Sequence, residues 1–289
     1  MKEGFAAVPG GRIWFGVEGS SEAAPLIVIH GGPGAPHHYL EPLAALSAQR
    51  PVIFYDQLGC GKSEQPDNPA LWRLPRFVDE LAALVAALQL ERFHLLGHSW
   101  GSVVAVEYLW SRRDGVASLI LASPVLSFPR YAAHCAKLRA SLPAGTQAVL
   151  DRAEAAGDFE SRQAQLATME YYNRYFCRLD PWPECMLETL LGFGRRTYQT
   201  MQGPTEFIVT GNLRAYDCTA RLASIDVPTL VTCGRHDLCD PQAALADHGA
   251  IPGSEIAIFE QSAHMPHLEE EESYLKALRE FLARCESCR

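Results

Sequence analysis

Between the apolar run Phe93-His94-Leu95-Leu96 and the helix-like stretch from Val103 to Trp110 stands Gly97-His98-Ser99-Trp100-Gly101, a G-x-S-x-G pentapeptide. A chain passing from strand to helix through these residues turns so sharply that the serine is held in a strained backbone conformation, and only glycine-sized neighbours avoid a clash. Gly97 and Gly101 supply that space, and the turn lifts the Ser99 hydroxyl above a sheet edge as a nucleophile elbow does. Around it, strand-like and helix-like segments alternate from Arg12 to about Ala122 and again from Thr229 onward. That alternation is the pattern of a doubly wound, mostly parallel α/β sheet. Residues 123–212 break it with helical periodicity, many aromatic residues and no buried strand, and read as a helical cap inserted after the strand Ser118-Leu119-Ile120-Leu121. The expected organisation is thus a core from 1–122 and 213–289 with a cap at 123–212 that excludes water and shapes a pocket. Within the cap, Tyr171, Tyr172, Tyr175 and Phe176 fall at spacings of three and four on one helical face, which favours cap core over substrate wall.

A lone serine hydroxyl is a poor nucleophile, so the elbow requires a histidine base and an acid that orients it, in the chain order Ser, Asp, His. Thr229-Leu230-Val231-Thr232-Cys233-Gly234 reads as a buried strand, and Asp237 follows its C-terminal end. Glu255-Ile256-Ala257-Ile258-Phe259 reads as another, followed by Gln261-Ser262-Ala263-His264. Each partner leaves the same end of a parallel sheet, where open α/β folds place their sites. Asp237 is preferred to Asp240 and to Asp226, which precedes its strand; His264 is preferred to His267, which directly precedes the acidic start of the last helix. The short apolar strand Leu26-Ile27-Val28-Ile29 runs into His30-Gly31-Gly32-Pro33-Gly34. Taken alone this is a plain Gly-Pro turn, but its glycines also allow backbone N–H groups to approach a substrate oxygen. Proteins with this elbow take one oxyanion donor from such a loop and the other from the residue after the nucleophile, here Gly32 and Trp100.

Composition narrows the partners. A chain of 289 residues, 48% hydrophobic and 20% charged, holds a catalytic core plus an insertion. A formal net charge of −9 and the lack of a basic face argue against nucleic acid and for a small-molecule or short-peptide substrate. The first eleven residues carry no signal-peptide core and no apolar stretch approaches a membrane span, so a cytoplasmic location is the expectation. Nine scattered cysteines suit reduced thiols better than a disulfide framework. Cys285 and Cys288 form the only C-x-x-C, which without a second pair is a poor zinc site, so no metal or other cofactor is expected. The acidic run Glu269 to Glu272 reads as a solvated helix start, where acids favour the N-terminal turn.

Three motifs are far more selective than the pentapeptide, which they join. His30-Gly31-Gly32-Pro33-Gly34, Asp56-Gln57-Leu58-Gly59-Cys60-Gly61-Lys62-Ser63, Gly97-His98-Ser99-Trp100-Gly101-Ser102 and Gly203-Pro204-Thr205-Glu206-Phe207 together resemble the proline iminopeptidase group of α/β-hydrolases, as does the segment Tyr171 to Pro183. The resemblance spans almost the whole chain. It implies an α/β-hydrolase fold and cleavage of an amide or peptide bond after a small N-terminal residue, through an acyl-enzyme. It also implies that Glu206 binds the substrate's free amine; the alternative is a structural carboxylate paired to Arg195 or Arg196. One position departs from the pattern: Leu238 stands where relatives that cleave N-terminal proline often carry a second acid after the catalytic aspartate, with Asp240 a nearby substitute. That departure widens the expected substrates to amino-acid amides and esters. A carboxylesterase, lactonase or carbon–carbon bond hydrolase would use the same triad, and a non-catalytic binding protein is the remaining reading. Haloalkane dehalogenase and epoxide hydrolase chemistry is excluded, because those enzymes carry aspartate where Ser99 stands.

Overall fold

The computed structural model describes residues 1–287, so Cys288 of the Cys285/Cys288 pair lies outside the described residues. Eight strands, β1 (Lys2–Val8), β2 (Gly11–Glu18), β3 (Leu26–Ile29), β4 (Val52–Tyr55), β5 (Phe93–His98), β6 (Val116–Ala122), β7 (Thr229–Gly234) and β8 (Glu255–Phe259), form one sheet. Its order is β1-β2-β4-β3-β5-β6-β7-β8, with β2 antiparallel to both neighbours and all pairs from β3 onward parallel. The parallel strands are short apolar runs because both of their faces are covered. Successive side chains divide between two cores. Ile27, Ile29, Leu95, Leu119, Leu121 and Val231 face one, and Leu26, Val28, Leu96, Ile120 and Leu230 face the other.

The first core is closed by α1 (Leu74–Ala87) and α2 (Trp100–Ser111), through residues such as Phe77, Leu81, Val103 and Val106. The second is closed by the 3-10 segment His37–Leu46 and by α10 (Glu271–Ser287), through Leu40, Leu43, Tyr274, Leu278 and Phe281. Helices on both faces make the sheet doubly wound. Between β6 and β7 lie five α-helices, a 3-10 segment (Thr219–Ser224) and no strand: α3 (Phe128–Ala140), α4 (Ala144–Ala156), α5 (Arg162–Tyr175), α6 (Glu184–Leu191) and α7 (Arg195–Met201). α8 (Pro241–Ala250) connects β7 to β8, and the single turn α9 (Pro266–Glu269) precedes α10. Among the described residues no helix is long and apolar enough to cross a membrane.

Two boundaries differ from the reading of the sequence. α2 begins at Trp100, directly after the serine, rather than at Val103. β1 extends the sheet before Arg12, where alternation was not recognised, because only Ala6 of its seven residues is buried.

Candidate active site

Ser99 sits between β5 and α2 with φ 53° and ψ −120°, a conformation that costs a non-glycine residue on the order of 1–3 kcal/mol. Several contacts impose it. The Ser99 N–H donates to the Ala122 carbonyl at 2.9 Å, and the Ser99 carbonyl accepts the Ser102 hydroxyl at 2.5 Å. A Cβ on Gly97 would run into the Gly101 carbonyl, and one on Gly101 into the Ile29 carbonyl, so the elbow closes only with both glycines.

Asp237 lies beyond the end of β7 and His264 beyond the end of β8, and both are buried. The His264 Nδ1–H donates to Asp237 Oδ1 at 2.7 Å, which leaves Nε2 as the basic nitrogen. Asp237 Oδ1 also accepts the Cys239 N–H at 2.8 Å. Burial works to lower the basicity of His264, but the charge and hydrogen bond of Asp237 outweigh it and hold the imidazole above its ordinary range. Burial raises Asp237 in turn, and the same partner brings its carboxyl below the usual carboxylate range. The rivals are occupied elsewhere. Asp240 caps α8 through the Gln242 N–H, Asp226 is exposed and paired with Arg113, and His267 is hydrogen-bonded by Nε2 to the Tyr39 carbonyl at 3.0 Å.

Ser99 and His264 line one small cavity that is partly open to solvent. Gly31, Gly32 and Tyr39 line it from the sheet end, while Phe176, Met186, Leu190, Phe193 and Glu206 line it from the helical segment between β6 and β7. Trp100 is buried behind it as the first residue of α2, so its N–H belongs to a helix N-terminus, where developing negative charge is favoured. The Gly31 N–H donates to the Tyr39 hydroxyl at 2.8 Å, so it is already engaged, while Gly32 lines the cavity beside Ser99.

Glu206 is half-buried, its Oε2 accepts the Tyr131 hydroxyl at 2.6 Å, and burial pushes its carboxyl above the usual range. The arginine pairing expected as its alternative is absent, since Arg195 pairs with Glu160 and Arg196 with Asp67. Leu238 is fully buried and donates its N–H to the Tyr175 carbonyl at 3.1 Å. The aromatic cluster divides: Tyr171 is fully buried in the core, whereas Phe176 lies against the His264 ring at 5.5 Å and lines the cavity. Phe176 keeps the helical face that the spacing gives it, with its ring 5.4 Å from that of Tyr172, but the end of α5 abuts the loop of His264, whose N–H donates to the Phe176 carbonyl at 3.0 Å.

The acidic run is also more than a solvated helix start. Glu269 accepts the backbone N–H groups of Arg178, Ala263 and Met265 at 2.8, 2.9 and 3.1 Å, and Glu270 accepts from Gln261 N–H and the Ser262 hydroxyl. These two carboxylates hold the loop that carries His264, whereas Glu271 and Glu272 alone are exposed at the start of α10.

Three further positioning groups escaped the sequence reading. Gln57 donates from Nε2 to the His30 carbonyl at 2.8 Å and accepts the Trp100 indole N–H at 2.9 Å, bracing the glycine loop against the elbow. Tyr39 and His98 complete a chain across the site. The Tyr39 hydroxyl, which accepts from Gly31, donates to His98 Nδ1 at 2.9 Å, and His98 Nε2–H donates to the His264 carbonyl at 3.0 Å. Burial, followed by the nearby charges of His264 and His267, keeps His98 well below the ordinary histidine range, so it serves as a neutral bridge. The Asp56-Gln57 motif carried a signal for Gln57, whereas Tyr39 stands in no motif.

Known proteins resemble this chain over nearly its full length. Residues 24–271 match the family described as the alpha/beta hydrolase fold. A proline iminopeptidase of Heyndrickxia coagulans is 42% identical over 283 residues, which cover 97% of this chain and 98% of that protein. The crystal structure of VinJ superposes with a TM-score of 0.95 at 33% identity, covering 98% of this chain and 99% of that one. That of the Mycobacterium smegmatis proline iminopeptidase gives a TM-score of 0.90 at 34% identity, covering 98% of both chains. Full-length identity of this order, joined to the match with the α/β-hydrolase family model, places the chain in the proline iminopeptidase family of α/β-hydrolases.

Proposed function

We propose that the protein is a serine hydrolase that cleaves the amide or peptide bond following a small N-terminal residue with a free amine, proline or another amino acid. Ser99 attacks the carbonyl as His264 Nε2 takes its proton, and Asp237 holds the imidazole in the required tautomer and stabilises the imidazolium. The N–H groups of Gly32 and Trp100 bind the oxyanion, each contributing roughly 3 kcal/mol in sites of this kind. His264 then protonates the departing amine, and water activated by the same nitrogen releases the amino acid from Ser99. Residues 123–212 serve as the cap over a core formed by 1–122 and 213–289. All eight described cysteines are free thiols, which suits a reducing compartment and supports a cytoplasmic location.

The observation that carries the substrate assignment is Glu206. It is a carboxylate without an arginine partner, on the cavity that Ser99 and His264 share, with burial raising the cost of its charge. An ammonium group one residue's length from the scissile carbonyl would relieve that cost, and an acylated amine would not. L-prolyl and L-alanyl p-nitroanilides should be cleaved at least tenfold faster in kcat/KM than their N-acetyl forms. Glu206→Gln should lower the free-amine values by about 10²-fold, the loss expected when one member of a buried pair is removed. Equal turnover of the acetylated and free substrates would sink the assignment.

The base also sets a pH dependence. A raised His264 stays protonated, and inactive as a base, to a higher pH than an ordinary histidine, so the acid limb of kcat/KM should fall above pH 6.5. p-Nitrophenyl acetate is the substrate for this measurement, because without an amine it does not report the Glu206 contact. A limb below pH 6.5 would show that Asp237 does not support the imidazolium.

A further inference from the structure

α6 carries an apolar surface that packing does not explain. Its buried face, Met186 and Thr189, meets the 3-10 segment, and Thr189 Oγ1 accepts the Tyr39 N–H at 3.0 Å. On the adjoining face Leu187, Leu190 and Leu191 are 51, 55 and 89% exposed. Spacings of three and four residues make these three side chains neighbours on the helix. The stripe is not isolated, because Leu190 also lines the cavity that holds Ser99, and Phe193 lines it just beyond the end of α6. One continuous apolar track therefore runs from the catalytic cavity to the outer surface.

The proposed function determines which part of a substrate meets this track. With the amine at Glu206 and the carbonyl at Ser99, the acyl group is a single aminoacyl unit confined inside the cavity. Whatever extends past Ser99 toward the open side is the leaving group. A short peptide would bring a carboxylate there, but the cations nearest α6 in the chain, Arg195 and Arg196, are already paired with Glu160 and Asp67. Glu184 and Glu188 on α6 itself are exposed and would repel it.

We infer that the preferred substrates are aminoacyl amides of a long apolar amine, whose hydrocarbon portion lies along Leu190, Leu187 and Leu191. The inference rests on the assignment of a free-amine substrate. It concerns only the group that departs.

The test is kcat/KM for L-prolyl n-alkylamides from ethyl to octyl, with the N-acetylprolyl series alongside. The basicity of the departing amine is nearly constant along the series, so the trend reports contact with the alkyl chain. Values should rise by about two- to fourfold per methylene over the first few added carbons, as expected for hydrocarbon leaving water. In the double variant Leu187→Gln/Leu191→Gln the octyl-to-ethyl ratio should fall by about tenfold, and a ratio within one protein is insensitive to losses of folded enzyme. A flat series with free-amine preference intact overturns the inference and leaves the function standing. Equal cleavage of the acetylated series overturns the function itself. A ratio unchanged in the double variant, with light scattering showing a dimer converted to monomer, assigns the stripe to contact between copies and also overturns the inference.

Discussion

Ser99→Ala should reduce kcat by about 10⁶-fold, with the folded protein intact. The size of the effect follows from the way a triad acts as a unit, since without a nucleophile neither the base nor its orienting acid has a proton to move. Alanine keeps the Cβ that already fits at φ 53°, so backbone strain is unchanged and only the oxygen is lost. Removing His264 as well should add little, because the two losses are one loss counted twice. Single-turnover release of p-nitroaniline, together with labelling by a fluorophosphonate, measures this directly. Labelling that persisted in the variant would identify a nucleophile other than Ser99 and would end the proposed mechanism.

Gly101→Ala should destabilise the protein by about 3 kcal/mol, the upper part of the range for overpacking a filled site. The obstruction is backbone on both sides. A Cβ there meets the carbonyls of Ile29 and His30, at the end of β3 and the start of the glycine loop, and neither can swing away as a side chain would. The melting temperature should fall by roughly 6–12 °C. Gly145→Ala is the matching control, because that glycine lies in α4 with nothing within 4 Å of the added carbon. There the substitution should be neutral or stabilising by up to about 1 kcal/mol, since alanine is the better helix former. Equal melting temperatures for the two variants would mean that the elbow relaxes more readily than its contacts imply.

The residues expected to do chemistry were legible because each is announced by its strand. A parallel strand buried on both faces is a short apolar run, and the loop after it points to the sheet end where sites form, so Ser99, Asp237 and His264 could be read without a structure. Phe176 keeps its place on the helical face, but spacing could not show that the end of this face meets the His264 loop, 88 residues further along the chain. Glu269 and Glu270 were misread for a different reason. Acidic residues at a helix start have a sufficient local explanation, and their actual partners are backbone N–H groups, which leave no mark on composition or spacing. Tyr39 and His98 act through contacts 59 residues apart in the chain, beyond the reach of any local pattern. β1 escaped notice because a nearly exposed edge strand has little apolar alternation to show.

The end of α5 is joined to both loops that carry the acid and the base. The Tyr175 carbonyl accepts from Leu238, the Phe176 carbonyl accepts from His264, and the Arg178 N–H donates to Glu269. The helices between β6 and β7 are therefore unequal as raw material for evolutionary change. Drift at the end of α5 is transmitted through two main-chain hydrogen bonds, and through the Arg178 N–H to the Glu269 carboxylate, to the loops of Asp237 and His264. Substitution along the exposed face of α6 disturbs none of these contacts, so under the inferred path of the leaving group new specificities can accumulate there while the chemistry stays constant.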